Sequence, residues 1–277
     1  MTERFTRRRF LKTSSLAAAA CVVPGAGERL AGAAETPYGP FKMGIQSYSL
    51  RGFDVDAALE WTRKLGLHYW EAYPRHLPET DDAAQLSGYR SKLGAAGVTL
   101  MAYGVVRFDA DTMANRALFQ FAKKAGIATL SADPEPGAFD QLDQLVDEFG
   151  VNVAIHNHGP GARYDKIKDV VHAVEGRHPR IGACVDTGHF LRSQEDPVEA
   201  IHRLGKRVHG VHLKDVRGAT EFTVLGKGDL DVLGVLKALE PLGFSECLAL
   251  EYEENPEDPI ADIRQCLEVV REAAARL

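Results

Sequence analysis

Cysteine is scarce in this chain: Cys21, Cys184, Cys247 and Cys266 are all there are in 277 residues, with no close pair among them. That argues against a disulfide framework, and the apolar runs around Cys184 and Cys247 predict buried free thiols. Basic charge is in deficit as well, with 33 Lys and Arg against 39 Asp and Glu. An acidic chain without a basic run is a poor partner for nucleic acid or an anionic membrane surface. No apolar stretch approaches the roughly 20 residues of a membrane-spanning helix. Linkers, low-complexity blocks and a second core are missing too, which leaves one domain. The first strand-like run is followed by Ser47-Tyr48-Ser49-Leu50-Arg51-Gly52, which is not the Gly-rich phosphate turn of a doubly wound open sheet.

The amino terminus reads as an export signal. Thr6-Arg7-Arg8-Arg9-Phe10-Leu11-Lys12 precedes a short Ala-rich apolar stretch from Leu16 to Val23, and Ala31-Gly32-Ala33 offers a small-residue cleavage site. This order resembles a twin-arginine signal peptide over residues 1–33, with cleavage after Ala33 and a periplasmic or otherwise exported address. Cys21 lacks the Leu three residues earlier that lipid attachment would favour. Cleavage would remove six basic and two acidic residues, leaving 27 against 37 and a net charge of −10. Export of an already folded protein reconciles that address with unpaired cysteines. No stable membrane insertion is expected after processing.

From about residue 41, after a short lead-in from Glu35 to Pro40, short apolar runs alternate with longer segments of helical period. The strand candidates are 43–49, 68–73, 98–104, 127–132, 151–156, 180–186, 207–213 and 247–252, and helices fill the intervals. Asp54, Asp229 and Asp258 stand where helix amino termini are expected. Eight βα units in about 240 residues predict a single α/β domain, a (β/α)8 TIM barrel over 34–277.

Four of the last strand candidates end in metal-ligand types: His156, Asp186, His212 and Glu251. Active sites of such barrels are built at the carboxyl ends of the strands, so these four predict one metal centre. Each has a plainer reading alone. Asp186 could cap the following turn, and His212 could belong to a salt-bridged strand end. Glu251 closes the run CLALE, where a buried carboxylate needs a cation or hydrogen bonds, while Glu253 and Glu254 read as solvated. Alternation places His158 on the same side as His156, and Lys214 on the same side as His212. Glu71 ends a similar run and is suited either to a sugar hydroxyl or to pairing with Arg75 or His76. Lys227, in the flexible turn Leu225-Gly226-Lys227-Gly228-Asp229, is a further substrate contact to consider, together with His189.

The motifs CVDTGH, VHLKD, LGKGDLD and LALEYE, in that order, resemble the xylose isomerase-like TIM-barrel superfamily, in particular its sugar phosphate isomerase/epimerase group, over about residues 41–275. The resemblance implies a divalent metal at the ends of strands five to eight, with Asp186, His212 and Glu251 on ligand positions. Strand five departs from the pattern: many epimerases of the group have Glu where this chain has His156. A cage of two carboxylates and two imidazoles shifts preference away from magnesium toward manganese first, then cobalt, zinc or iron. It also removes one of the two Glu bases of the family's epimerases.

The resemblance therefore implies a metal-dependent isomerase/epimerase-type enzyme that abstracts a proton beside a carbonyl of a sugar or keto-sugar. Glu251 or His158 would be the base, and Lys214 would neutralise oxyanion charge. A lyase or hydratase acting by β-elimination on 3-keto-glycosides is the alternative, and a non-catalytic sugar-binding barrel is the second. The expected partner is a small carbohydrate, and a homo-oligomer is compatible with the sequence. A DNA-repair hydrolase of the same fold would need more ligands and a basic face.

Overall fold

The computed structural model describes residues 37–277; the expected signal peptide and Cys21 lie outside the described residues. The expected barrel is there. Its strands are β1 (Lys42–Gln46), β2 (Tyr69–Ala72), β3 (Thr99–Phe108), β4 (Thr129–Pro134), β5 (Asn152–His156), β6 (Ile181–Asp186), β7 (Val208–Leu213) and β10 (Cys247–Leu250). They close in the order β1-β10-β7-β6-β5-β4-β3-β2, every pair parallel. Two short strands, β8 (Asp215–Arg217) and β9 (Glu221–Thr223), form an antiparallel hairpin above the β7 end.

The barrel strands are covered on both faces, so their residues run buried almost without alternation, as in the unbroken burial of Ile181–Asp186. Close approach demands glycine within that run. A Cβ on Gly182 would lie 2.1 Å from the Arg207 carbonyl of the neighbouring strand connection.

The described residues contain α1 (Val55–Lys64), α2 (Ala83–Ala96), α3 (Thr112–Ala125), α4 (Phe139–Phe149), α5 (Ile167–Val174), α6 (Thr187–Arg192), α7 (Pro197–Leu204), α8 (Val232–Leu239) and α9 (Ile260–Ala274). Asp54, as expected, caps α1 by accepting from Ala57 N at 2.9 Å. The cap of α8 is Asp231, not Asp229, whose carboxylate accepts instead from Gly218 N at 2.7 Å. α9 likewise opens after Pro259 rather than at Asp258. Two helices, not one, follow β6, because Asp186 itself caps α6 through His189 N at 2.7 Å. All three described cysteines are buried and free. No described helix is long and apolar enough to cross a membrane.

Candidate metal centre

His156, Asp186 and His212 are the last or penultimate residues of β5, β6 and β7, and Glu251 directly follows β10. Because β5, β6, β7 and β10 are successive neighbours in the barrel, these four side chains converge. One ligand-type atom from each lies within 4.8 Å of all the others. His156 Nε2 is 3.0 Å from His212 Nδ1 and 3.3 Å from Asp186 Oδ2, and His212 Nδ1 is 3.0 Å from Glu251 Oε2 and 3.8 Å from Asp186 Oδ2. Donors about 2.1 Å from a shared cation sit roughly 3.0–3.4 Å apart in octahedral or tetrahedral arrangements. The set fits a divalent ion in other respects. Asp186 Oδ2 and Glu251 Oε2, the oxygens that face the cluster, are buried without a hydrogen bond, a state that costs free energy unless a cation compensates. Asp186 divides its roles: Oδ1 caps α6 while Oδ2 faces the cluster.

Lys214 brings an ammonium into contact with the cluster. Its Nζ lies 2.9 Å from Asp186 Oδ2 and 2.8 Å from Glu251 Oε2, as ion-pair contacts rather than aligned hydrogen bonds, and it also bonds Glu253. Burial by itself would raise both cluster carboxyls, but the Lys214 ammonium beside them, with His156 at Asp186 and His212 at Glu251, holds both well below the usual range. Glu253 thus corrects the sequence reading: it is a half-buried partner of Lys214 and not a solvated neighbour, whereas Glu254 is exposed.

A cavity of about 350 Å³ opens above the cluster. His156, Lys214 and Glu251 form its floor with Gln46, and Tyr48, Tyr73, Gly104, Val105, His158, His189 and Glu253 complete its lining. The His156 and His158 rings meet edge to face at 4.6 Å, and His158 and His189 are 5.3 Å apart. Burial pushes His158 down to about 4 and His189 to about 3, so both imidazoles are neutral at pH 7. Phe222, on β9, packs against His189 at 5.7 Å and lies beneath the Lys214 and Arg192 charges. A larger cleft of about 660 Å³, flanking α4 and α5, contains none of the four cluster residues.

Two sequence expectations are corrected. Glu71 does not reach the cavity. It is 2 % exposed and accepts hydrogen bonds from His212 Nε2, Gln46 Nε2 and Ser131 Oγ, with neither Arg75 nor His76 as its partner. Lys227 points away: its Nζ bonds Gln265 of α9 at 2.8 Å. The physical reason lies in Asp215, which sequence reasoning passed over. Its Oδ2 accepts from Gly226 N and Gly228 N, and its Oδ1 from Val216 N and Leu230 N, at 2.8–3.0 Å. The pairing of HLKD with LGKGDLD is therefore structural, a buried carboxylate gripping a turn. Gln46, Ser131, Tyr48 and Tyr73 were also missed, since their runs carry no ligand-type pattern.

Residues 136–273, about half of the chain, match the family model described as the xylose isomerase-like TIM barrel. The chain is 35 % identical over 134 residues to the rhizopine catabolism protein MocC of Rhizobium meliloti, covering 42 % of this chain and 41 % of that protein. It is 29 % identical over 136 residues to the inosose dehydratase of Geobacillus thermodenitrificans, covering 42 % and 45 %. The chain thus spans less than half the length of these curated relatives. Among solved structures, an uncharacterized protein of Parabacteroides distasonis superposes with a TM-score of 0.67 at 27 % identity, over 84 % of this chain and 99 % of that one. The IolI protein with a bound zinc atom gives 0.71 at 15 % identity, over 85 % and 98 %, a likeness of fold alone.

Proposed function

The chain belongs to the xylose isomerase-like TIM-barrel family, and from that premise we propose that it is a divalent-metal-dependent enzyme acting on a small polyhydroxylated ketone. The observation that carries this reading is the convergence of His156, Asp186, His212 and Glu251, whose cluster-facing carboxylate oxygens have ion-pair contacts but no hydrogen bond. A divalent ion held by these four residues would supply Lewis-acid polarisation of adjacent carbonyl and hydroxyl oxygens. The preferred ion is manganese, with cobalt, zinc and iron ahead of magnesium, because two imidazoles accompany the two carboxylates.

The chain's own residues supply the rest. His158 is the better proton acceptor: it is neutral, faces the cavity and stands outside the four-donor set. Glu251 is held by Lys214 and His212 as a weak base. Lys214 balances negative charge growing on the substrate oxygen. Tyr48 and Tyr73, in edge contact at 4.9 Å, wall the cavity where a ring-sized substrate would lie. With His156 where a second carboxylate base would be needed for epimerisation, the proton leaves one face to His158. The carbanion forms the C=C bond as the β C–O bond breaks, the hydroxide leaving as water with the proton returned by the His158 imidazolium. We therefore place dehydration of a keto-sugar or keto-cyclitol ahead of isomerisation. The inosose dehydratase relatives support that order. Export through the twin-arginine route is part of the proposal and rests on the sequence alone.

The test is incubation of manganese-loaded protein with inosose and with 3-keto-glycosides in deuterated water, read by mass spectrometry and NMR. Loss of one water or of the aglycone supports elimination. Deuterium uptake with retained composition would move the assignment to isomerisation, and no exchange with any ketone would overturn it.

A further inference from the structure

We infer that Glu71 positions the His212 imidazole for metal binding, by accepting the Nε2 proton and thereby leaving Nδ1 as the unprotonated donor that faces the cluster. The inference rests on reading the strand-end cluster as a metal centre. His212 is fully buried, and its two ring nitrogens meet different surroundings. Nε2 is 2.9 Å from Glu71 Oε2, while Nδ1 is 3.0 Å from both Glu251 Oε2 and His156 Nε2. Carboxylates can only accept, and one faces each nitrogen. An ion held between Asp186 and Glu251 would take the place of the Nδ1 proton, whereas Glu71 lies on the far side of the ring and keeps the proton on Nε2. Metal-bound imidazoles commonly donate their other N–H to a carboxylate in this way.

The carboxylate is itself immobilised. Gln46 Nε2 donates to Glu71 Oε1 at 2.9 Å, Ser131 Oγ donates to the same oxygen, and Gln46 Nε2 also donates to Gly104 O at 3.2 Å. Gln46 Oε1 accepts from Tyr48 N at 3.1 Å. Side chains from β1, β2, β4 and β7 thus form one buried chain running from the cavity wall to a ligand of the cluster. Charge points the same way: Asp186, Glu251, Glu253 and Glu71 are four carboxylates around the one Lys214 ammonium, an excess of negative charge that a divalent ion would largely offset. Cys184 also lies within 4.8 Å of Glu71 and His212, but burial pushes its thiol up to about 11, so it offers no thiolate there.

The test compares wild type, Glu71→Gln and Glu71→Asp. Zinc and cobalt affinities are read by chelator competition, the cobalt visible spectrum reports ligand geometry, and melting in excess chelator reports the fold. The expected result is an affinity loss of about 10- to 100-fold in Glu71→Gln, an altered cobalt spectrum, and a metal-free protein that still melts cooperatively, lowered by no more than the roughly 10 °C that loss of a buried ion-pair partner brings. Glu71→Asp keeps the charge at a shorter reach and should fall between the two; it carries the test if the amide variant does not fold. Affinity within twofold of wild type in the folded variants overturns the inference. If wild type itself binds neither ion, the metal-centre reading fails first, and this inference with it.

Discussion

Replacing Lys214 with Met would separate the two ways in which the cluster can be neutralised. Lys214 is 3 % exposed and its ammonium stands between Asp186 Oδ2 and Glu251 Oε2, with Glu253 as a third partner. The packing of its stem against Gly188, where an added Cβ would lie 2.7 Å from Lys214 Cγ, favours a linear replacement. Met therefore preserves shape and removes charge. Removing one partner from a buried ion pair costs about 3–5 kcal/mol, and at roughly 2–4 °C per kcal/mol for a domain of this size the metal-free variant should melt about 10 °C lower. Because the ion uses the same two carboxylates, added manganese or zinc should raise the melting temperature more in the variant than in wild type. Differential scanning fluorimetry, with chelator and with a metal series, reads both quantities. Melting within about 2 °C of wild type in chelator, or equal metal-induced shifts, would refute the assignment of Lys214 as the counter-charge.

Two other predictions use different parts of the molecule. Asp215→Ala strands the backbone N–H groups of Val216, Gly226, Gly228 and Leu230, and at about 1–3 kcal/mol for each of the two buried donors and less for the part-buried bonds of the two glycines the loss should be roughly 3–5 kcal/mol by urea denaturation; metal affinity should hold, since no cluster residue lies in that turn, and a parallel loss of affinity would contradict the division. His158 and His189 have folded values of about 4 and 3, below the roughly 6.5 of an unfolded chain, so the unfolded state binds more protons in that interval and stability must fall as pH drops from 7 toward 4. His212, raised in the fold, contributes stability that is lost as pH rises, one group acting against two. A flat stability profile of the metal-free protein from pH 7 to about 4.5 would show that these imidazoles are not buried neutral.

The barrel was legible because each strand is a short apolar run between helical segments, and because a ligand-type residue at a strand end stands out against the run before it. His156, Asp186, His212 and Glu251 lie on adjacent strands, so order along the chain was enough to bring them together. Contacts across the barrel could not be read in this way. Glu71 meets His212 from 141 positions away, and only the closed sheet turns the end of β2 toward the end of β7. Local competition hid other features. Asp229 looked like a helix cap but is taken by Gly218, leaving that role to Asp231. The hairpin of β8 and β9 has three residues per strand, too few for a periodic signal. Lys227 was read from its place in a flexible turn, whereas the grip of Asp215 on that turn sets where its side chain goes.

The most direct measurement is the metal content of the purified protein by inductively coupled plasma mass spectrometry, beside His212→Ala. The account predicts about one transition-metal ion per chain in wild type, after loading with manganese, cobalt or zinc if necessary, and its loss in a variant that remains folded by circular dichroism. Wild type that stays metal-free after incubation with all three ions, or a variant that retains the full complement, would contradict the strand-end metal centre on which the proposed chemistry depends.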